Sequence, residues 1–126
     1  MSPPWYSAYA NANAATLLSV LYHLTKDERY KRLAQEAAAY LSLPLDAGGS
    51  EYDISGFKYP AEYVYPSPSL PNIRVLDREL ISVLALYNAA RFLGDGEMLR
   101  IAYQQMASLA MALEYYRQRN GNLYFA

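Results

Sequence analysis

The fold is decided by an apolar stretch at residues 11–24, which reads NANAATLLSVLYHL. Leucines and alanines recur in it every three or four residues, the spacing of one face of an α-helix. These residues are Ala14, Leu17, Leu18, Leu21 and Leu24. Ala15, Val20 and Tyr22 add apolar surface on the other side. A helix that is apolar nearly all round is predicted to be buried between neighbouring elements.

A second, amphipathic helix is predicted to follow directly. Thr25 and Glu28 have the spacing of a capping box, which marks a helix start. The next residues carry an apolar stripe with charged and polar residues largely opposite, and Pro44 ends the pattern. The stripe consists of Tyr30, Leu33, Ala34, Ala37 and Leu41. The two helices therefore form a hairpin in which a buried helix is followed by an outer one.

The second half of the chain repeats this arrangement. A third helix is predicted from Leu76 to Gly94, and Asp95 caps a fourth one. The repeated stretches are residues 17–21 with 80–84 and residues 32–34 with 100–102. Such repeats stack into solenoids or close into toroids. We predict an all-α fold, a partial α/α toroid of two helical hairpins, in a single domain over residues 1–126 that is part of a longer protein.

A long tyrosine- and proline-rich loop separates the two hairpins, from Leu45 to about Arg74. Gly48-Gly49 indicates a turn, and the prolines at 60, 66, 68 and 71 exclude regular helix. Long ordered loops in compact domains are often functional. Short strands are predicted around Tyr52–Ile54 and Ala61–Tyr65. At the other end of the chain, Asn120-Gly121 predicts a small C-terminal β-hairpin between Arg119 and Leu123.

The composition favours polar aromatic surfaces and excludes several classes of site. The chain has 14 tyrosines against three phenylalanines, and a tyrosine hydroxyl needs a polar partner or water. Sugar-binding clefts use the combination of a flat apolar ring face and a hydroxyl. Tyrosines also fill helix interfaces, where their hydroxyls remain in water. The absence of cysteine excludes disulfides, thiolate zinc sites and cysteine nucleophiles. A net charge of −1 does not predict attraction to nucleic acid or to anionic membranes.

The sequence predicts no membrane segment, targeting signal, metal or cofactor. No apolar run reaches the roughly 20 residues that span a bilayer. The first residues have neither the basic nor the apolar region of a secretion signal, and no compartment is predicted. No pattern of histidines and carboxylates indicates a metal. Gly94-Asp95-Gly96 is interpreted as a turn between helices, because it lacks the pattern of a phosphate loop.

His23 and the Glu51–Asp53 pair are candidate catalytic groups that also have a structural interpretation. His23 lies near the end of the first helix without a triad partner, and is predicted to be a hydrogen-bonded core histidine. Glu51 and Asp53 are candidates for the carboxylate pair of a glycoside hydrolase, but neighbours of this kind in a loop more often face solvent.

Four stretches, taken in order and spacing, resemble a known family. They are Tyr9 to Ala14, Leu24 to Tyr30, Leu80 to Tyr87 and Leu109 to Tyr124. Together they are similar to the C-terminal domain of D-glucuronyl C5-epimerase, which converts glucuronic to iduronic acid in heparan- or heparosan-type chains. The resemblance covers essentially the whole chain. It implies an α/α toroid fragment, an acidic polysaccharide as the ligand, and an active site of tyrosines with a nearby glutamate.

The resemblance assigns catalytic roles by position. Tyr116 matches the tyrosine that closes the last helix, and Tyr124 matches the one after the glycine turn. In the loop, the family's Glu-Tyr-Pro unit matches Val64-Tyr65-Pro66, which keeps the tyrosine without the glutamate. A shifted match to Glu62-Tyr63 restores the carboxylate and loses the proline, so Tyr65 is favoured as the tyrosine and Glu62 as the acid. Substrate contacts are expected from Tyr59, Tyr63, Arg74, Arg117, Arg119 and Asn11.

Other departures from the family pattern bear on activity. Leu76-Asp77-Arg78 stands where the family usually has Leu-Asn-Gly, and Arg117 stands where an aspartate normally follows the tyrosine. The β-domains that precede the family's C-terminal domain and complete its cleft are not in this chain. Fold is expected to transfer across such differences more readily than activity.

Three functions are therefore weighed. The first is a C5-epimerase-like domain that acts on glucuronate-containing polysaccharide through tyrosine acid/base chemistry. The second is a non-catalytic carbohydrate-binding module on the same fold, and the third is a structural helical-repeat domain. The expected partners are an acidic polysaccharide and either missing N-terminal domains or a second copy of the chain.

Overall fold

The computed structural model describes residues 7–54, 56–60 and 76–120, and helices make up most of them. The four helices are α1 (Ala8–Thr25), α2 (Glu28–Ser42), α3 (Leu76–Leu93) and α4 (Gly96–Asn120). A short 3-10 helix (Leu45–Ala47) and two strands, β1 (Glu51–Ile54) and β2 (Phe57–Pro60), lie between α2 and α3. The predicted helical class and all four helices are confirmed. No helix in the described ranges is both long and apolar enough to cross a membrane.

The helix ends follow from local hydrogen bonds. The Ser7 hydroxyl accepts from the amide of Ala10 at 3.2 Å, so α1 begins three residues before the predicted Asn11. The prediction that Thr25 caps α2 is wrong, because Thr25 is the last residue of α1. Asp27 is the cap instead, and its carboxylate accepts from the amide of Arg29 at 3.0 Å. A carboxylate at a helix N-terminus also interacts favourably with the helix dipole.

The predicted cap of α4 is confirmed. The Asp95 Oδ1 accepts from the amide of Met98 at 3.0 Å, after a turn in which Gly94 has a φ of 64°. Its Oδ2 accepts from the side chain of Gln35 at 3.1 Å, which connects this turn to α2. Gly94-Asp95-Gly96 is thus a helix–helix turn, as the sequence predicts.

The strands form one antiparallel β-hairpin. Glu51 lies opposite Pro60 and Ile54 opposite Phe57, and the Gly56 amide donates to Asp53 Oδ1 at 2.8 Å in the turn. The predicted first strand is confirmed. The second strand is Phe57–Pro60, before the predicted Ala61–Tyr65, which lies outside the described residues.

The predicted glycine turn before β1 is also confirmed. Gly49 lies against the end of α2, where an added side chain would collide with the backbone of Leu43. This close approach holds β1 beside the end of α2, since the Glu51 amide donates to the Leu43 carbonyl at 3.0 Å.

The prediction that α1 is buried nearly all round is wrong, because only one face of the helix is buried. Leu17 and Leu24 are 61% and 73% exposed, whereas the buried residues of the helix are small. The buried residues are Ala8, Ala12, Ala15 and Ser19. They pack in a core cluster with small residues of α3, including Ala85 and Ala89. Only a short side chain lets two helix backbones approach closely, so the alanine face is buried and the leucine face is not.

Helices α1 and α3 run parallel to each other. Three contacts between them join residues that lie 69 positions apart in the chain. They are the Tyr9 ring with Arg78, the Thr16 hydroxyl with the Ala85 carbonyl, and the His23 ring with Phe92. Helix α4 is antiparallel to α3, because Tyr87 contacts Tyr103 while the earlier residue Val83 lies in a cluster with the later residue Leu109.

Three further expectations need correction. His23 is exposed, with its ring edge-to-face against Phe92 at 5.7 Å, and is therefore not a core histidine. Leu33 of α2 is exposed, although it lies on the predicted apolar stripe, and Leu84 of α3 is exposed as well. Helix α4 continues through Asn120, so Arg119 is helical and does not end a strand. The rest of the predicted C-terminal hairpin, residues 121–126, lies outside the described residues.

Candidate functional site

One end of the molecule gathers the start of α1, the start of α3 and the end of α4. This follows from the directions of the helices, since α1 and α3 are parallel and α4 is antiparallel to them. Segment 61–75 joins Pro60 of β2 to Leu76, the first residue of α3, and so returns to this end. We call it the loop end, and define it by Tyr9, Arg78 and the last turns of α4.

A cation–π contact joins the two parallel helices at the loop end. The guanidinium carbon of Arg78 lies 4.5 Å from the centre of the Tyr9 ring, and both residues are half-buried. A contact of this kind contributes about 0.5–2 kcal/mol, depending on how far it is desolvated. It fixes a positive charge and an aromatic ring between the first turns of α1 and α3.

The polar residues at the start of α1 are bonded within their own helix. The side-chain amide of Asn11 donates to the Ser7 carbonyl at 3.0 Å, and that of Asn13 donates to the Tyr9 carbonyl at 2.8 Å. Asn11, which the sequence predicts to contact substrate, is half-buried at the loop end. Its described hydrogen bond stabilises the first turn of α1.

Glu79 is a buried carboxylate at the loop end that the sequence interpretation missed. Its side chain is only 2% exposed, and it follows Arg78 in the first turn of α3. A carboxylate at a helix N-terminus is favoured by the helix dipole, which offsets part of the cost of burial. Helical spacing places Glu79 on one face with Ser82, Val83 and Leu86, all of them buried. That periodicity is the sequence signal that could have identified it.

The β-hairpin fixes the beginning of segment 61–75. Tyr59 is 6% exposed and packs in a cluster with Val83 of α3 and Leu109 of α4. The Lys58 amide donates to the Ser108 hydroxyl at 2.9 Å, which attaches the strand to α4. Leu80, one turn into α3, packs against the same cluster. Both attachments of the segment are therefore held by the α3–α4 pair.

The backbone of α4 carries Tyr116 to the same end. Tyr116 follows Leu109 by two helical turns, about 10 Å further along the axis of α4. Arg117 and Arg119 belong to the same last turns of the helix. The arrangement places the backbone of these three residues towards the end at which segment 61–75 is attached.

A family model described as the D-glucuronyl C5-epimerase C-terminus matches residues 1–126. The chain belongs to the D-glucuronyl C5-epimerase C-terminus family. The resemblance drawn from four stretches of sequence is thereby confirmed over the whole chain.

Half of the ten residues that the resemblance assigns to a C5-epimerase site lie outside the described part of the chain. These residues are Glu62, Tyr63, Tyr65, Arg74 and Tyr124. For Tyr116, Arg117 and Arg119 the structure describes the helical backbone only. The structure therefore describes the elements that surround these residues. They are the attachments of segment 61–75, the end of α4 and the Tyr9–Arg78 contact.

Tyr59 occupies a different environment from the one expected of a sugar-contacting ring in a C5-epimerase domain. Its ring is buried with Val83 and Leu109. A buried ring has no open face against which a sugar could stack, so its position favours an anchoring role. The position of Tyr59 in the loop, just before Pro60, gave no indication of this burial.

The carboxylates considered for glycoside hydrolysis are tied to one lysine. Lys58 Nζ lies 2.6 Å from Asp53 Oδ2 and 3.9 Å from Glu51 Oε1. Burial raises the pKa of the Glu51 carboxyl, against the opposing effects of Lys58 and a hydrogen bond to Gln105. Asp53 is exposed, and its hydrogen bonds to Lys58 and to the Gly56 amide lower its pKa. Asp53 and Glu51 are therefore paired with Lys58 within the β-hairpin, and Glu51 is also bonded to Gln105 of α4, so the two do not form an open carboxylate pair.

Among the described residues, no group of three or more histidines and carboxylates has the arrangement of a metal site.

Proposed function

We propose that this C5-epimerase C-terminal domain supplies acid/base tyrosines for epimerisation at C5 of glucuronate units in an acidic polysaccharide. The family membership supports an epimerase-related function. The observation that carries the proposal is that two elements meet at the loop end. They are the end of α4, which contains Tyr116, and the start of α3, to which segment 61–75 with Tyr65 is joined.

The chemistry requires two proton-transfer groups and a cation. One group removes the proton from C5, next to the sugar carboxylate, and the charge that develops spreads into that carboxylate. A second group returns a proton to the opposite face of the same carbon, so the product is an epimer with no net gain or loss of atoms. Positive side chains near the carboxylate stabilise the charged intermediate.

Tyrosines on two walls of a cleft fit this requirement. We assign Tyr116 and Tyr124 to one wall and Tyr65 to the other, with Glu62 as the nearby acid. A phenol has an ordinary pKa of about 10, so its use as a base needs neighbouring positive charge. Arg74, Arg117 and Arg119 are the cations proposed to supply that charge and to hold the substrate carboxylate. Tyr63 and Asn11 are proposed to contact the sugar.

The helices are proposed to be part of an α/α toroid. The parallel pair α1 and α3 provides two inner helices, and α2 and α4 the matching outer ones, which is the order expected of such a fold. Leu17 and Leu84 are exposed on the inner helices. We propose that further helices of the toroid, preceding domains or a second copy cover these leucines, since large exposed apolar surfaces mark interaction sites.

The proposal is tested by hydrogen exchange at C5. A glucuronate-containing polymer of the heparosan type is incubated in heavy water with the intact protein, and deuterium at C5 is measured by NMR. Deuterium is expected to enter at C5, and Tyr116→Phe is expected to slow its entry about 100-fold or more, the usual contribution of a general acid or base.

Tyr22→Phe is the matched control, because it removes a phenol near the other end of α1, far from Tyr9. It is expected to leave exchange unchanged. If the polymer binds but no deuterium enters under any condition, the epimerase proposal is wrong and the binding-module alternative is favoured. Val64 in place of the family's glutamate and Arg117 in place of its aspartate are the sequence features that favour this alternative.

A further inference from the structure

A second groove lies far from the loop end, where the C-terminal halves of α1 and α3 meet. Its volume is about 470 Å³, within the range of small-molecule sites. The described residues that line it are His23, Tyr87, Asn88, Arg91 and Phe92. None of these residues is acidic. We call it the Arg91 groove.

The cation of this groove is held in position by a tyrosine. Arg91 Nη1 donates to the Tyr87 hydroxyl at 3.3 Å, and the guanidinium carbon lies 5.9 Å from the centre of the Tyr87 ring. Arg91 is exposed, so its guanidinium meets solvent as well as the groove. A guanidinium has five N–H donors in a planar fork, which matches the two oxygens of a carboxylate.

Aromatic rings and an amide complete the lining. Phe92 and His23 are in edge-to-face contact at 5.7 Å, and Tyr87 contacts the exposed Tyr103 at 6.0 Å. Such rings offer flat apolar surface beside a polar edge, and the Asn88 amide offers both a donor and an acceptor. A ligand that suits this lining carries a carboxylate, several hydroxyls and an apolar ring face.

We propose that the Arg91 groove binds a uronate unit of the acidic polysaccharide, at a site separate from the proposed catalytic cleft. The choice of ligand rests on the proposed function, whereas the groove, its cation and its rings are properties of the structure. His23, beside the groove, lies about 21 Å along α1 from Tyr9 at the loop end, at 1.5 Å per residue. A polymer, but not a single sugar, can therefore contact both places.

Binding at two places on one chain predicts a dependence on ligand length. Once one segment of the polymer is bound, the second contact forms within the same complex and raises the apparent affinity without any new type of contact. A short oligosaccharide that occupies only the cleft does not gain from the groove. Loss of Arg91 is therefore expected to weaken the binding of long chains more than that of short ones.

The test compares the affinities of variants of the intact protein for a long heparosan-type polymer and for a short oligosaccharide of the same repeat. Arg91→Ala is expected to weaken polymer binding about tenfold, the size expected for a lost charge-assisted hydrogen-bonded pair. Arg91→Lys keeps the charge but not the planar fork, and an intermediate loss is expected. Arg32→Ala on α2 is the control, because it removes the same charge from an exposed residue that does not line the groove.

The outcomes separate this proposal from the proposed function. Equal polymer affinity in Arg91→Ala and wild type, or an equal loss in Arg32→Ala, overturns the groove proposal whether or not C5 exchange occurs. An Arg91-specific loss for the long polymer supports it, even if no exchange is seen and the epimerase proposal fails. An equal loss for the long and the short ligand also contradicts it, since the groove would then not be a separate contact.

Discussion

At the scale of single residues, Glu51 shows most directly how the fold changes a side chain. Its carboxylate is nearly buried between the β-hairpin and α4, with Lys58 Nζ 3.9 Å away. Burial disfavours the charged form and raises the pKa, while Lys58 and Gln105 oppose this effect without cancelling it. Lys58 pairs more closely with Asp53, which raises the pKa of the lysine. The charge of Glu51 is thus only partly compensated.

The raised pKa of Glu51 predicts a pH dependence of stability. A carboxyl with a higher pKa in the folded state contributes stability below its ordinary pKa, and this contribution is lost as the pH rises through the folded value. Glu51→Gln removes the titration, so the free energy of unfolding of this variant is expected to fall less than that of the wild type over this range. Urea denaturation at a series of pH values measures the difference.

Asp53→Asn provides the contrasting control for this prediction. The pKa of Asp53 is lowered, so its contribution is present above the ordinary pKa and is lost as the pH falls. Asp53→Asn removes this titration, so the free energy of unfolding of the variant is expected to fall less than that of the wild type as the pH is lowered. Identical profiles for wild type and Glu51→Gln would show that burial does not govern the ionisation of Glu51.

At the scale of elements, the contact between α1 and α3 depends on small side chains. Ala12 and Ala15 are fully buried and share a core cluster with Ala85 and Ala89. The Thr16 hydroxyl donates to the Ala85 carbonyl at 2.7 Å, a distance that requires the two helices to be close. The sequence correctly predicted a helix here, but it predicted burial nearly all round. An apolar pattern on all sides does not identify which face has a neighbour.

The alanine contact predicts an unusual order of mutational effects. Ala15→Leu adds volume where the backbones are close, and is expected to lower the free energy of unfolding by about 1–3 kcal/mol. Leu24→Ala removes an exposed side chain, and its effect is expected to stay within about 0.5 kcal/mol. Thermal or urea unfolding of the two variants tests this. A larger loss for Leu24→Ala would contradict the assignment of the buried face.

At the scale of the whole molecule, the β-hairpin connects the central part of the chain to the α3–α4 pair. Tyr59 packs against both helices, Lys58 is bonded to Ser108, and Gln105 donates to the Leu41 carbonyl at 2.9 Å. The two hydrogen bonds join residues 50 and 64 positions apart in the sequence. The proposed catalytic segment 61–75 begins directly after this anchor, so its geometry depends on the hairpin.

Replacement of Tyr59 is therefore predicted to affect both stability and the proposed activity. Tyr59→Ala removes a buried ring and is expected to cost about 3–5 kcal/mol, as for other large aromatic truncations. Tyr59→Phe keeps the ring, and a smaller loss is expected. At a temperature where both variants remain folded by circular dichroism, C5 exchange is expected to fall in Tyr59→Ala and to be largely kept in Tyr59→Phe. Full exchange in folded Tyr59→Ala would argue against the anchoring role.

The sequence by itself determined the local features of this protein. It located all four helices, the Asp95 cap, the glycine turns and the first strand, because each depends on residues close together in the chain. The four family-like stretches also led to the correct family. The residues proposed for catalysis come from that resemblance, since Glu62, Tyr65 and Tyr124 carry no local pattern that distinguishes them.

Only the tertiary structure decided which surfaces are buried and which distant residues meet. It buried the alanine face of α1, placed Glu51 and Tyr59 against α4, and brought Arg78 over Tyr9. It also left His23 exposed beside the Arg91 groove. The physical reason is that burial, and with it ionisation and binding, depends on the neighbours that packing supplies. Residues 69 positions apart in the sequence become neighbours when two parallel helices pack through alanines.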